Sequence, residues 1–274
     1  MKQIFNITQT YNANLLRQRN KMKFTKITLH KIYYSLVFSF CSTFTPLPIF
    51  QPINAQTLTD QHPIIESSLR TDQDREMDSR RKPLEMLNFI QAKSGMKALD
   101  IFSGGGYTAQ LLAVAVGPSG QVVAMNTKPS LALQQRLLAH PQSNLIPVVS
   151  DLLEITQGAS NQFDIITIVN SYHDMVNISP DILATNRRIY DLLKPGGVLI
   201  IRDHAAKDGA DRSVTKTLHR IEPKSVLIDF ESVGFKKINA SDEFLKNLQD
   251  TKETHSNQMQ GIQPEGFIYK FIKP

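Results

Sequence analysis

The strongest constraint on the fold is a short stretch near the middle of the chain. Lys97 to Phe102 is an apolar run of strand length, Gly104-Gly105-Gly106 follows it, and Tyr107 to Val116 reads as a helix that stops at Gly117-Pro118. A strand, a glycine turn and a helix in that order open a βαβ unit. The same alternation continues to the end of the chain. Gln121 to Met125, Leu145 to Val149, Asp164 to Val169 and Val198 to Ile201 read as strands, and Leu131 to Ala139 as a helix stopped near Pro141. Ser179-Pro180 opens a helix to Leu193, and Lys194-Pro195-Gly196-Gly197 is a turn. Pro223 to Val233 is a further helix, and Phe235 to Ile238 and Phe267 to Ile272 close the pattern as strands that can pair antiparallel at one edge. The expected fold class is α/β, a mostly parallel sheet with helices on both faces. Ahead of it, Asp72 to Ala92 is helical with a second start at Pro83, and the polar stretch 250–260 has no period.

The first 55 residues differ from the rest. They hold seven basic residues and no Asp or Glu, then an apolar run from Ile32 to Phe44 and a small residue, Ala55, at a cleavage position. That order is a secretory signal peptide, with Met22 giving a more typical start, and it is too short and broken for a membrane span. Residues 56–71 read as a flexible arm and 72–274 as the functional domain. The expected location is the periplasm, or the cytoplasm or membrane surface if the leader is retained. The formal charge of +6 belongs to this leader: beyond it stand 24 basic against 25 acidic residues, so nucleic-acid binding is not expected. The one cysteine, Cys41, lies in the apolar run behind the bulky Phe40, which disfavours lipid attachment. The domain has no cysteine and no local His/Cys run, so no disulfide, metal centre or thiol nucleophile is expected. Nothing in the sequence speaks to oligomeric state.

Ligands of open α/β sheets bind at the carboxyl ends of the strands. The spacing Gly104-x-Gly106-x-x-Ala109 also fits a dinucleotide fingerprint, so a nicotinamide-dependent oxidoreductase is one reading. Asp100, four residues before Gly104, opposes it. A carboxylate there repels a pyrophosphate and favours a ligand carrying an ammonium and a sulfonium.

On Asp100 to Thr108, Asn170-Ser171-Tyr172-His173-Asp174, Leu193 to Gly197, Asp203-His204 and Leu218-His219-Arg220-Ile221, the chain resembles the class I S-adenosylmethionine-dependent methyltransferases. Within them it is similar to a bacterial group of exported members, over roughly Arg75 to Pro274. The resemblance implies a Rossmann-like, seven-stranded sheet with one antiparallel edge strand. It places the methionine end of the cofactor at Asp100, Gly104, Gly105 and Gly106, the ribose at Asn126 and the adenine at Asp151. Phe102 stands where the family has its first glycine, and Asn126 where it has an acidic residue. The candidate proton acceptors are His173, Asp174 and His204. Asn170, Tyr172, His219 and Arg220 are candidate substrate contacts, with Arg220 alternatively paired to Glu222. Arg75, Asp78 and Arg81 are expected to form an ion-pair cluster. The acceptor is a small molecule or an envelope component. A non-catalytic binding protein on the same fold remains a separate reading, motivated by the leader.

Overall fold

The structure is a computed structural model that describes residues 62–151, 154, 160–241 and 266–274. The signal-peptide expectation, Cys41, the start of the arm and the polar stretch 250–260 lie outside them. Seven strands form one sheet: β1 Lys97–Ile101, β2 Gln121–Asn126, β3 Leu145–Val149, β4 Phe163–Val169, β5 Leu193–His204, β6 Lys236–Ala240 and β7 Gly266–Ile272. Their order is β3-β2-β1-β4-β5-β7-β6. β1 to β5 pair in parallel, and β7 runs antiparallel to both β5 and β6, so the reversed strand lies one place in from the edge. The Rossmann-like expectation, including the antiparallel pairing of the last two strands, holds.

The described helices are α1 His62–Ile65, α2 Asp72–Arg81, α3 Pro83–Ile90, α4 Tyr107–Val116, α5 Leu131–Ala139, α6 Tyr172–Ile178, α7 Ile182–Leu192, α8 Val214–Leu218 and α9 Pro223–Ser232. Alternate strand residues point to opposite faces, and two cores result. On one face Ala98, Val122, Ala124, Ile165 and Ile200 pack under Met86, Leu112 and Leu133 of α3, α4 and α5. On the other, Leu99, Ile101, Ile166, Ile168 and Ile201 pack under Tyr172, Ile189 and Phe230 of α6, α7 and α9. Each fully buried apolar side chain of this size stabilises the fold by roughly 1.5–3 kcal/mol.

The details depart from the sequence pattern in four places. Residues 62–71, expected to be loose, are held to the fold: Arg70 is buried, donates to Asp78 at 2.8 Å and lies over the Tyr107 ring. α6 forms over Tyr172–Ile178, where the sequence pattern marks no helix. α7 begins after Asp181, whose carboxylate accepts from the Ala184 N–H at 2.9 Å, while Ser179 bonds the Thr185 hydroxyl instead of capping. Lys194 to Gly197 is an irregularity inside β5, where the register against β4 slips from Leu193 opposite Phe163 to Val198 opposite Ile165. Among the described residues no helix is long and apolar enough to cross a membrane.

Candidate functional site

The glycine turn leaves the carboxyl end of β1 and is built from both sides. Gly104 has φ +57 and an added Cβ there meets nothing within 4 Å, so its outer face is open. Gly106 has φ +86, and a Cβ would lie 2.7 Å from Leu133 Cδ1 of α5, so this glycine serves close packing. Phe102, the bulky residue in place of a family glycine, also takes a left-handed backbone, at φ +53. Its ring packs against the core, which offsets a conformational cost of roughly 1–2 kcal/mol.

Arg136 fixes the turn, a role the sequence did not suggest. Its Nε donates to the Gly105 carbonyl at 2.7 Å, and its Nη2 and Nη1 donate to the two oxygens of Asp74 at 2.7 and 2.5 Å. Asp74 in turn accepts from the Thr71 N–H at 2.9 Å, closing a capping box at the start of α2. One buried, bidentate ion pair thus ties α2, α5 and the turn together. The expected cluster of Arg75, Asp78 and Arg81 needs correction. Asp78 pairs with Arg70 and accepts from the Tyr107 hydroxyl at 2.7 Å. Arg75 instead donates to the Ile65 and Ser67 carbonyls, and the Arg81 guanidinium lies 4.7 Å from the centre of the Tyr107 ring.

Asp100 lies beneath the turn, 2% exposed, and its Oδ1 accepts from the Thr167 hydroxyl at 2.6 Å. Burial pushes its carboxyl up to about 6, against the pull of that hydroxyl and of the Arg81 charge. It is ionised at neutral pH, and its burial still disfavours the charge, so a cation arriving nearby stabilises it. Asn126, at the end of β2, is occupied by the turn itself. Its Oδ1 accepts from the Gly104 N–H at 2.8 Å and its Nδ2 donates to the Gly104 carbonyl at 3.2 Å. Asp151 is exposed beyond β3, and its carbonyl accepts from the Ser150 hydroxyl at 3.1 Å.

A second group of residues gathers at the ends of β4 and β5. Asn170 takes φ +55, its N–H bonded to the Arg202 carbonyl at 2.7 Å, and turns the chain into α6. Asp203 is buried and accepts three hydrogen bonds: from the His173 N–H at 2.9 Å, from His173 Nδ1 at 2.7 Å and from the His204 N–H at 2.8 Å. It therefore caps a free amide of α6 and fixes the ring of its second residue. With Nδ1 bound to the Asp203 carboxylate, His173 turns Nε2 toward Asp174. Burial alone lowers the His173 value, but the bond to Asp203 and the charges of Asp203 and Asp174 outweigh it and raise it. Burial lowers that of His204, whose ring centre is 6.2 Å from that of His173.

One expected substrate contact is corrected. Tyr172 is completely buried, donates to Asp229 at 2.9 Å, accepts from Asn186 at 2.8 Å and packs on Phe230. It anchors α6 in the core rather than walling a cleft. Arg220 is 5% exposed and donates to the Ala205 carbonyl at 2.7 Å, and the Glu222 carboxylate accepts from the Gly209 N–H. The fold also brings His219 to His173 and Asp174. His173 Nε2 lies 3.5 Å from Asp174 Oδ2, and His219 Nδ1 lies 3.5 Å from Asp174 Oδ1. Sequence spacing cannot reveal this, because His219 follows α8 and arrives by tertiary folding. A recess at the opposite end of the sheet, lined by Ile90, Met96, Asp164, Lys194, Gly197 and Lys270, is remote from the glycine turn and holds none of these groups.

Residues 92–262 match a family described as "Methyltransferase domain", a span that covers more than half of the chain. The chain belongs to that family. The methyltransferase domain is similar in sequence to demethylmenaquinone methyltransferase of Staphylococcus carnosus, 28% identical over 115 residues, which are 42% of this chain and 46% of the relative. It is also similar to ubiquinone biosynthesis O-methyltransferase of Xanthomonas campestris, 30% identical over 135 residues, 45% of this chain and 53% of the relative. The chain thus spans about half the length of the curated relatives it matches. In structure it resembles a SAM dependent methyltransferase from Aquifex aeolicus, with a TM-score of 0.55 at 16% identity, covering 75% of this chain and all of that one. That likeness speaks to the fold.

Proposed function

We propose that this protein transfers a methyl group from S-adenosylmethionine to a hydroxyl-bearing small molecule. One observation carries the reading: a buried carboxylate, Asp100, lies directly below a glycine turn whose Gly104 face is open, in a chain of the methyltransferase family. The residues fit such a ligand. Asp100 supplies a negative field for the ammonium and sulfonium, and Gly104 lets the ligand approach the backbone. Asn126 can turn its amide from Gly104 to a ribose diol, and Asp151 stands at the end of β3 toward the adenine. The bound cofactor supplies an electrophilic methyl group. Loss of the usual acidic residue at Asn126 removes charge assistance from the diol contact and weakens binding.

On the acceptor side, Asp203 holds His173 so that Nε2 can receive the proton of a hydroxyl during transfer. His204, Asn170 and His219 line the same end of the sheet. The relatives' names motivate quinone-type acceptors, reduced aromatic rings with a hydroxyl, as first compounds to try. The leader motivates export, with an envelope acceptor, and a reporter fused to residues 1–60 tests it separately.

Calorimetry with S-adenosylhomocysteine and NAD tests the cofactor reading. Binding of the first and none of the second is the expected result; the reverse refutes it. Label transfer from S-adenosylmethionine to hydroquinones and catechols then tests the acceptor class. Cofactor binding with no transfer to any acceptor would favour the non-catalytic reading.

A further inference from the structure

The cluster at the start of α6 has a composition that proton transfer alone does not require. His173 Nε2, a carboxylate oxygen of Asp174 and His219 Nδ1 all lie within 4.8 Å of one another, and no other such group occurs among the described residues. The three residues differ in exposure: His173 is buried, while the Asp174 and His219 side chains are 50% and 63% exposed. The donors therefore line a shallow surface site, its floor fixed and its rim free to adjust.

We propose that His173, Asp174 and His219 bind one divalent transition-metal ion. Metal–nitrogen and metal–oxygen bonds to such ions are about 2.0–2.2 Å. At tetrahedral angles that puts neighbouring ligand atoms about 3.3–3.6 Å apart. His173 Nε2 stands 3.5 Å from Asp174 Oδ2 and His219 Nδ1 stands 3.5 Å from Asp174 Oδ1, and with one donor atom per residue all three fall within 4.8 Å. Rotation of the two exposed side chains, Asp174 and His219, is what brings one carboxylate oxygen and both nitrogens to that spacing. Two imidazoles and one carboxylate suit zinc, iron, cobalt or manganese; they do not suit magnesium or calcium, which prefer all-oxygen shells.

The surroundings favour a ligand role. A metal-bound imidazole characteristically donates its other N–H to a carboxylate, which fixes the tautomer and raises basicity. Asp203 does this for His173, accepting at 2.7 Å from Nδ1 while also holding the residue's backbone N–H. The ring is thus oriented before any ion arrives, which reduces the entropy lost on binding. Three protein ligands leave at least one coordination position for water or an acceptor oxygen. Nε2 has one lone pair, so an ion there excludes a proton, and the metal-bound and base forms of His173 are alternatives. This inference rests on the donor geometry and not on methyl transfer; either stands if the other fails.

The test is metal titration of the purified full chain in a non-chelating buffer, with Zn2+ by calorimetry and Co2+ by visible absorption. One equivalent of ion is expected, and a Co2+ spectrum of low-coordinate N/O type, with no heat from Mg2+. Asp174→Ala and His219→Ala, both exposed and away from the core, are each expected to weaken Zn2+ binding at least 10-fold. His140→Ala, outside the cluster, leaves it unchanged. Asp203→Asn weakens it about 10- to 100-fold without touching the ion. Unchanged affinity and stoichiometry in both Asp174→Ala and His219→Ala overturns the proposal, as does absence of binding to the wild-type chain at millimolar Zn2+.

Discussion

Replacing Asp100 by Asn separates two effects that the wild-type carboxylate combines. Without ligand, the carboxyl ionises near 6 rather than at its ordinary 3.8, because burial disfavours the charge. The sign follows from linkage: the folded state holds the proton more tightly than the unfolded one. Its contribution to stability is thus fully present below about 4 and lost as pH rises through about 6. A shift of this size corresponds to roughly 3 kcal/mol. A cation over Gly104 that restores the ordinary value recovers about the same amount, worth roughly 100-fold in affinity. If only the ionised form binds, S-adenosylmethionine affinity is flat above pH 7 and falls about 10-fold by pH 5. Asp100→Asn is expected to bind roughly 100-fold more weakly at pH 7.5, with no such slope between pH 5 and 7. Its ligand-free fold at pH 7.5 is no less stable than wild type, since a buried charge is gone and the Thr167 hydroxyl keeps an acceptor. Calorimetry at four pH values and urea unfolding of both proteins read these quantities. Wild-type affinity in Asp100→Asn, with the pH slope retained, would refute the electrostatic argument.

Other perturbations probe the scaffold around this charge. Gly104→Ala, with open space above it, should cost roughly 1–2 kcal/mol in stability and abolish cofactor binding. Gly106→Ala should cost roughly 2–4 kcal/mol, because the left-handed backbone and the approach to Leu133 add; comparable urea midpoints for the two would contradict this division of roles. Arg136→Met strands the buried Asp74 and should destabilise by about 3–5 kcal/mol, read as a shift of the unfolding midpoint. Asp203→Asn should lower kcat by about 100-fold or more with little change in cofactor affinity, because His173 loses the acceptor that fixes its tautomer. An unaltered kcat there would remove His173 from the reaction.

The sheet was legible because its strands are nearly continuous apolar runs punctuated by glycine and proline. α4, α5 and β3 fall where the pattern put them, and the glycine turn follows β1 as its spacing required. The candidate site was legible only along the chain. His173 and Asp174 are neighbours in sequence, but their partners Asp203 and His219 come from the end of β5 and the end of α8. Asp203 stood beside a histidine that drew attention first, and no local pattern marks it as the carboxylate that orients His173. Tyr172 misled for the same reason. In a strand-to-loop reading it flanks the cleft, but the unforeseen start of α6 turns its ring into the core, where Asp229 and Asn186 satisfy its hydroxyl. Arg136 left no signal either, since an arginine near the end of an amphipathic helix looks like solvent-facing charge until α2 docks over it.

The reversed strand β7 has a consequence for biosynthesis. It occupies an interior slot, hydrogen-bonded to β5 on one side and β6 on the other, although it is translated after both. Until residue 272 has left the ribosome, β5 exposes an unsatisfied edge that includes Leu199, Ile200 and Ile201, and β6 has no neighbour to pair with. The nascent domain therefore cannot complete its sheet strand by strand. It must wait for its latest-made element, and during that wait β5 is the edge most open to non-native pairing and to chaperone capture.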